Sequence, residues 1–282
     1  MTEFTDALAD VVAATETALL KLIPENEVPE AQIFQAMRYS AMAGGKRLRP
    51  FLVIASADLF NVSRLCSERV AAAIEMIHTY SLIHDDLPAM DDDDFRRGEL
   101  TCHLKFDEAT AVLAGDALLT LAFEILAHSD THNSAKIRAD LVLEISRAVG
   151  AQGMVGGQML DLVGEQRKFG NSEITRLQRM KTGALINCSC QAGAILGDAS
   201  ETQRHLLNAY AHDIGLAFQI VDDLLDVDGD PDELGKATNK DIKAGKATFV
   251  SLLGVERARA QAEILINQAI KNIESFGEKS DL

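Results

Sequence analysis

Residues 71–83 read AAAIEMIHTYSLI, and the chain continues as HDDLPAMDDDDFRRG over residues 84–98. The first part is apolar on nearly every side of a helix, which is typical of a helix in the centre of a large bundle. The segment 184–196 has the same character. The second part carries six aspartates within ten residues. The sequence therefore predicts a buried helix that ends in a cluster of carboxylates.

The rest of the chain also favours helices. Only five prolines occur, and none lies between residues 89 and 230. Stretches rich in Ala, Leu, Glu and Gln favour helices, and alternating β-branched runs are absent. The start signals are Ser67, Ser172 and Ser200, and Gly197 is a stop signal. We predict helices at about 4–21, 30–43, 51–60, 67–87, 107–128, 134–152, 172–196, 200–227 and 248–275. Without a linker or an internal repeat, a single all-α domain over 1–282 is expected.

Composition and charge exclude several classes of function. Apolar residues make up 47% and charged residues 25%, as in globular proteins. No uninterrupted apolar run approaches about 18 residues, so no membrane span is expected. A net charge of −16 repels nucleic acid and anionic lipid. Glu3 and Asp6 stand where a secretory signal carries Lys or Arg, and the four cysteines lack the spacing of a zinc site. We therefore expect a cytoplasmic protein with reduced thiols.

The first acid cluster follows the buried helix. Asp85 and Asp86 end that helix, and Pro88 helps to terminate it. Arg96 and Arg97 follow within a few residues of the acids. Carboxylates and guanidinium groups in one place suit a ligand that is anionic and also bound to metal.

The second acid cluster reads QIVDDLLD over residues 219–226. On a helix, Asp222, Asp223 and Asp226 project from one face, and Gln219 lies one turn earlier. The apolar residues at 220, 221, 224 and 225 predict a mostly buried helix with a carboxylate edge facing a cavity. Buried carboxylates repel one another and lose hydration, so the trio implies a cation.

Simpler explanations exist for each cluster alone. An isolated run of aspartates usually lies in a solvated loop, and a lone D-D-x-x-D is often on a surface by chance. Two such clusters, each at the end of an apolar helix, favour a metal site. An EF-hand that starts at Asp226 fails, because Pro231 stands where Gly is required and Ala237 where Glu is required.

Basic residues beside glycines are candidates for holding phosphate. The segment Gly44–Pro50 reads GGKRLRP, a flexible turn followed by three cations. It is not a Walker A loop, because Ser40 and Arg47 stand at positions that need Gly and Ser or Thr. Gly183 loosens a helix directly after Lys181 and Thr182. Two more lysines that follow glycines, beyond the second acid cluster, are Lys236 and Lys246.

Together these motifs resemble the trans-polyprenyl diphosphate synthases, and most closely their bacterial farnesyl diphosphate branch. The resemblance covers about residues 35–255. Residues 77–98 have the bacterial D-D-x4-D spacing, although Phe95 stands where the family commonly has Leu. The other matching motifs occur in the family's order, at residues 44–50, 156–161, 181–183, 219–226 and 235–246.

The resemblance implies an isoprenoid-synthase helical bundle in which both acid clusters face a central active-site cavity, usually as a homodimer. Three Mg²⁺ ions would be held by Asp85, Asp86, Asp91, Asp222, Asp223 and Asp226. The allylic diphosphate would be bound by Arg96, Lys181, Thr182, Gln219, Lys236 and Lys246. Isopentenyl diphosphate would be bound by Lys46, Arg49, His78 and Arg97. The catalytic set would be Asp85, Asp86, Lys181, Asp222 and Lys246.

The implied reaction joins isopentenyl diphosphate to dimethylallyl and geranyl diphosphates and yields farnesyl diphosphate. Tyr80, with Ser81 beside it, resembles the aromatic residue that floors the pocket in farnesyl-forming members. Geranyl or geranylgeranyl diphosphate synthase, a terpene cyclase and a non-catalytic helical subunit remain as alternatives. The resemblance also predicts a further short helix with a basic tail beyond Leu282.

Overall fold

The computed structural model describes residues 3–167, 169–228 and 249–280. Its helices are α1 Glu3–Leu22, α2 Ala31–Met42, α3 Leu48–Asp58, α4 Arg64–Asp85, α5 Cys102–Lys105, α6 Glu108–Ala127, α7 Ala135–Val149, α8 Met154–Gln166, α9 Asn171–Gln178, α10 Ala184–Leu196, α11 Glu201–Asp228, α12 Phe249–Leu253 and α13 Val255–Ile273. A π-helical turn, Arg179–Gly183, links α9 to α10, and a 3₁₀ segment, Glu274–Ser280, follows α13. Within these residues the strands are β1 Phe95–Arg96 and β2 Glu99–Leu100. The all-α prediction is confirmed.

The helices form two compact units. One lies within residues 1–142 and 195–198, and the other within residues 143–194 and 199–281. The first acid cluster and GGKRLRP belong to the first unit. The second acid cluster and Lys181 belong to the second unit.

Helix α4 is the centre of the first unit. It packs against α1, α2, α3 and α6. Every residue from Val70 to Ile77 is at most 1% exposed, and this run includes Glu75. Burying a side chain such as Ile74 contributes about 1.5–3 kcal/mol. The prediction that residues 71–83 belong in the centre of a bundle is confirmed.

Helix α6 is the main partner of α4 in the first unit. The Asp107 carboxylate caps it by accepting from the backbone N of Thr110 at 2.8 Å. Among the described residues, α6 is the one helix long and apolar enough to cross a bilayer by length and composition. Ala111, Ala114 and Leu118 are buried on the side of α6 that packs within the unit, whereas Val112 and Leu113 are exposed.

Helix α11 packs against α13 in the second unit. Ile220 is fully buried and Leu224 is 7% exposed, and both join Val250 and other side chains in an apolar cluster. The prediction for this helix is only half right, because Val221 and Leu225 are more than a third exposed. Only one face of α11 packs against α13, so apolar residues on the other side stay accessible.

The glycine-rich segment after residue 149 departs from the predicted helices. We expected one helix over 134–152, whereas α7 ends at Val149 and α8 begins at Met154. Glycines at 150, 153, 156, 157 and 164 lower the helix propensity of this region, which is why α8 was not predicted. Packing of α8 against the π-helical turn and α9 stabilises the helix where its glycines do not.

Several helix ends also differ from their predicted positions. Helix α4 begins at Arg64, so Ser67 lies inside it. The helix expected over 248–275 breaks at Gly254, whose φ of 78° separates α12 from α13. The signals at Ser200 and Gly197 are confirmed, because α11 begins at Glu201 and α10 ends at Leu196.

Candidate active site

The aspartates after α4 lie in a loop that folds back on the end of that helix, and we call residues 85–94 the acid loop. The backbone N of Asp91 donates to the carbonyl O of Asp85 at 2.8 Å. Asp92 has a left-handed φ of 51°. Pro88 prevents α4 from continuing. Because of this fold-back, two aspartates that are six positions apart in sequence share one end of α4.

Asp86 is the buried member of the acid loop, at 3% exposed. Its carboxylate accepts from Nε of Arg96 at 3.0 Å and also from Nη2, which lies 3.3 Å from Asp93. Burial, with the charges of Asp93 and Asp91, raises the pKa of Asp86 above its ordinary value, although the hydrogen bond and charge of Arg96 act in the opposite direction. Burial alone would lower the pKa of Arg96, but the hydrogen bond and charge of Asp86 raise it overall. Arg96 therefore neutralises part of the acid loop.

Arg96 and Arg97 lie in a short hairpin, and their side chains contact different segments: Arg96 contacts Asp86, and Arg97 contacts Gly44. Phe95 pairs with Leu100 and Arg96 with Glu99 in antiparallel register. Arg97 and Gly98 form the turn, with φ of 55° and 84°, as a type I′ turn requires. This hairpin was not among the predicted elements, and the pair Arg97-Gly98 is the sequence signal that indicates it.

The segment Gly44–Pro50, which we call the cation turn, receives Arg97. Nη1 of Arg97 donates to the carbonyl O of Gly44. Gly45 has φ of 125°, and a Cβ there would lie 2.5 Å from Cζ of Arg97. Glycine at position 45 therefore permits both the backbone conformation and the close approach of the guanidinium.

His78 on α4 lies beside the cation turn. Its Nε2 is 3.4 Å from Nη1 of Arg49 in the first turn of α3. Burial lowers the pKa of His78 well below its ordinary value, and the charges of Arg49, Arg97 and Arg47 lower it further. Lys46 is exposed. The first unit thus brings Arg49, His78 and Arg97 together around the backbone that carries Lys46.

The two residues expected to control product length follow His78 on α4. Tyr80 is 7% exposed, and its ring meets the ring of His84 edge-on with centroids 5.4 Å apart. Oγ of Ser81 donates to the carbonyl O of His78 at 2.8 Å. The Ser81 hydroxyl is therefore bonded within its own helix, whereas Tyr80 contributes a buried aromatic wall below Asp85.

Lys181 lies in the π-helical turn of the second unit and forms an ion pair with Asp161 of α8. Gly157 allows this approach, because a Cβ there would lie 2.2 Å from the backbone N of Lys181. Thr182 is partly buried in the same turn. The predicted interruption of a helix at Lys181–Gly183 is confirmed, and it takes the form of a π-helical turn.

Two residues of α8 were missed as candidates for function. Asp161 is the partner of Lys181. Both polar atoms of the Gln158 amide are buried without a hydrogen-bond partner in the part of the chain that the structure describes. Such an amide is costly unless a ligand or water satisfies it. Gln158 and Asp161 both belong to the family motif at residues 156–161, but their spacing in the sequence does not show which residues they contact.

The second acid cluster lies near the end of α11. Asp223 and Asp226 are 7% exposed, whereas Asp222 is exposed. Oδ2 of Asp223 accepts from the backbone N of Phe249 at 2.7 Å, where α12 begins. Gln219 is partly buried one turn earlier. The other two expected residues, Lys236 and Lys246, lie outside the described residues.

The donor set fits a hard divalent cation, although the described part of the chain holds no preformed cage. Within residues 3–167, 169–228 and 249–280, no group of three or more His, Cys, Asp or Glu side chains is arranged to hold an ion as it stands. Carboxylate oxygens are the ligands that Mg²⁺ prefers, and Mg²⁺ often binds through one or two carboxylates together with substrate phosphates. The carboxylates of Asp86, Asp223 and Asp226 are largely withdrawn from water, so each gains from a nearby cation.

Comparisons with known proteins identify the family. A family model described as polyprenyl synthetase matches residues 30–281. The chain is 46% identical over 280 residues to the farnesyl diphosphate synthase of Escherichia coli (strain K12), covering 99% of this chain and 94% of that protein. It is 42% identical over 278 residues to the farnesyl diphosphate synthase of Haemophilus influenzae, covering 98% and 94%. A crystal structure of an FPP/GFPP synthase from Zymomonas mobilis has a TM-score of 0.89 and 48% identity, covering 98% of this chain and 94% of that one. The chain belongs to the polyprenyl synthetase family.

Proposed function

We propose that this chain is a prenyltransferase that joins isopentenyl diphosphate to dimethylallyl diphosphate and then to geranyl diphosphate, with farnesyl diphosphate as its product. The observation that carries the proposal is the presence of two unlike polar sites in the first unit. At the acid loop, a diphosphate needs cations between itself and the carboxylates. At the cation turn, guanidinium and ammonium groups can hold a diphosphate directly. Two diphosphates with different requirements match this reaction.

The residues proposed to hold Mg²⁺ are Asp85, Asp86, Asp91, Asp222, Asp223 and Asp226. When bound, Mg²⁺ supplies positive charge that stabilises the diphosphate as a leaving group. Three ions are the number expected from the family resemblance. The burial of Asp86, Asp223 and Asp226 supports the metal site, because a cation nearby offsets part of the cost of holding several carboxylates at 3–7% exposure.

The chain's own cations are proposed to bind the allylic diphosphate alongside the metal. Arg96, Lys181, Thr182, Gln219, Lys236 and Lys246 form this set. Breaking the allylic C–O bond develops negative charge on the diphosphate, and positioned guanidinium and ammonium groups stabilise it without donating a proton. The partner Asp161 supports this role for Lys181, because the ion pair restricts where the ammonium group can point. Gln219 and the carbonyls of the π-helical turn would offer partial negative charge to the allylic cation.

Isopentenyl diphosphate is proposed to bind at the cation turn through Lys46, Arg49, His78 and Arg97. The short distance between Arg49 and His78 supports this assignment, as does the contact of Arg97 with Gly44. A neutral His78 among arginines can accept a proton when a diphosphate neutralises their charge. The double bond of isopentenyl diphosphate then attacks the allylic cation, and the released diphosphate takes the final proton.

The C15 product is proposed from the buried ring of Tyr80 below the acid loop. Because the growing chain is expected to run along α4 from Asp85, a large side chain five residues earlier would stop it. Geranyl and geranylgeranyl diphosphate synthases are the alternatives within the family. The printed title of the Zymomonas mobilis structure names two products, so product length can vary among relatives.

The assembly and location of the protein are also proposed. Val112 and Leu113 on α6, and Val155 and Met159 on α8, are each at least 40% exposed. Exposed apolar residues of this kind support a homodimer, which light scattering on the purified protein tests directly. A cytoplasmic location is proposed because none of the four cysteines forms a disulfide.

The function is tested by incubating purified protein with isopentenyl and dimethylallyl diphosphates, with Mg²⁺ or with EDTA. The products are dephosphorylated and identified by mass spectrometry. A C15 alcohol that forms only with Mg²⁺ is the expected result. Asp91→Asn should reduce its rate by about 100-fold or more, whereas Asp94→Asn, an exposed residue of the same loop, should not.

Other outcomes of this experiment separate the alternatives. A metal-dependent product of another length would retain the prenyltransferase and overturn the C15 assignment. No product with either dimethylallyl or geranyl diphosphate would favour a non-catalytic helical subunit. Calorimetry with Mg²⁺ and a non-ionisable allylic analogue then decides, because such a subunit should show no metal-dependent binding.

A further inference from the structure

Arg47 differs from the two cations beside it in the cation turn. Lys46 is exposed, whereas the side chain of Arg47 has 0% of its surface exposed. Its backbone has a left-handed φ of 47°, which is uncommon for a residue other than glycine. A side chain that binds a substrate directly must reach it. The burial of Arg47 therefore indicates another role.

The Arg47 guanidinium joins three other helices of the first unit. Nη1 lies 2.6 Å from Oε1 of Glu75 on α4. Nη2 donates to the carbonyl O of Ala41 in α2 at 2.7 Å and lies 3.8 Å from Glu16 on α1. The Glu75 side chain is only 2% exposed, so both charges of the main pair are withdrawn from water. A buried ion pair adds little stability over well-packed apolar residues, which favours a positional role for this pair.

The pair links the cation turn to the helix that carries His78. Glu75 lies one turn before His78 on α4, and Arg47 lies two residues before Arg49. The carbonyl O of Arg47 accepts from the backbone N of Phe51 at 3.0 Å in the first turn of α3. Because α3 carries Arg49, a displacement of Arg47 would move Arg49 away from its 3.4 Å contact with His78.

We infer that Arg47 and Glu75 form a positioning pair for the isopentenyl diphosphate site, an inference that rests on the proposed function. Arg47 holds Arg49 beside His78 and fixes the backbone that carries Lys46. The pair therefore determines the affinity for isopentenyl diphosphate. Ionisation of the allylic diphosphate depends on the acid loop and is independent of the pair.

The test replaces the pair by apolar residues of similar size in the variant R47M/E75L. Replacing a buried ion pair in this way often preserves stability, so the variant is expected to fold. We expect KM and the calorimetric Kd for isopentenyl diphosphate to rise about tenfold or more, since a misplacement of about 1 Å has effects of this size. The KM for the allylic substrate, and kcat at saturation, should stay within about twofold.

The matched control is R64Q/E68Q, which removes a partly exposed ion pair in the first turns of the same helix. It should leave every constant unchanged. A folded R47M/E75L with wild-type KM and Kd for isopentenyl diphosphate would overturn the inference. If that variant does not fold, E75Q keeps the volume and removes the charge; we expect KM to rise about threefold, and no rise would likewise overturn the inference.

Failure of the proposed function gives a different result. Wild-type protein that forms no prenyl product with any primer contradicts the proposed function. The calorimetric Kd for isopentenyl diphosphate does not require turnover. This Kd therefore tests the positioning pair even without activity. If the wild type does not bind isopentenyl diphosphate, or if R47M/E75L binds it with the wild-type Kd, the inference is contradicted.

Discussion

Substituting Gly157 by Ala tests the close approach of α8 to the π-helical turn. A Cβ at this position would lie 2.2 Å from the backbone N of Lys181 and 2.6 Å from its Cα. Both contacts are with backbone, which cannot rotate away as a side chain can. To reach ordinary van der Waals contact, α8 and the turn must separate by about 1 Å. That separation also moves Asp161 away from the ammonium group of Lys181.

The expected magnitude combines two opposing effects. Overpacking of a well-packed contact costs about 1–3 kcal/mol. Replacing a helical glycine by alanine stabilises by about 0.5–1 kcal/mol. The clash with backbone favours the upper end of the overpacking cost, so the free energy of unfolding should fall by about 1–2 kcal/mol. Displacing Lys181 by about 1 Å should lower kcat by about 10–100-fold if it binds the leaving diphosphate.

Gly164→Ala on the same helix is the matched control. A Cβ at Gly164 would lie 3.3 Å from the ring of Phe169, a side chain that can yield by a few tenths of an ångström. This variant should be as stable as the wild type or slightly more stable, and kcat should change by less than about twofold.

The assay measures urea unfolding and steady-state kinetics for both variants, with each substrate varied separately. Gly157→Ala should lower both stability and kcat. A Gly157→Ala protein with wild-type stability and kcat would refute the reasoning from this contact. Lower stability with unchanged kcat would retain the packing argument and contradict the role of Lys181.

Three further predictions concern single side chains. Tyr80→Ala should lengthen the product to C20 or beyond, as measured by mass spectrometry; an unchanged C15 product would contradict Tyr80 as the floor of the pocket. Because burial holds the pKa of His78 below its unfolded value of about 6.5, the unfolded chain takes up a proton first as pH falls. The free energy of unfolding should therefore decrease below about pH 6.5, and urea unfolding should show a smaller decrease in His78→Asn than in the wild type; an equal decrease would exclude His78 as the source. Asp161→Asn removes the charge partner of Lys181 and should lower kcat about tenfold with little change in stability, since the pair is partly exposed; kinetics that match the wild type would show that Lys181 does not need it.

Local patterns in the sequence were sufficient for most of the helices and for the candidate residues. The apolar character of residues 71–83 predicted a central helix, and α4 is buried there because a helix that is apolar all round has no polar face to turn to water. The spacing of Asp222, Asp223 and Asp226 predicted a helix that carries all three, and α11 carries them near its end. These features depend on residues within a few turns of one another.

Local patterns failed where glycine and backbone geometry matter. Helix α8 was not predicted, because its glycines lower helix propensity. Its packing partner, the π-helical turn, begins only at Arg179 and is therefore not local in sequence. The hairpin at Arg97-Gly98 is too short for any alternation to show. In both cases contacts with other segments, rather than intrinsic preference, stabilise the conformation.

The cation turn shows most clearly what local sequence patterns cannot distinguish. Its sequence gives Lys46, Arg47 and Arg49 as three equivalent cations. Only the tertiary structure separates them, since Arg47 is buried against Glu75, which is 28 residues away, while Lys46 remains exposed. The sequence by itself determined which residue types gather near the acid loop and the cation turn. Which charge faces a substrate and which is paired inside depends on the packing of α1, α2 and α4, because the environment of a charge is set by neighbours distant in the chain.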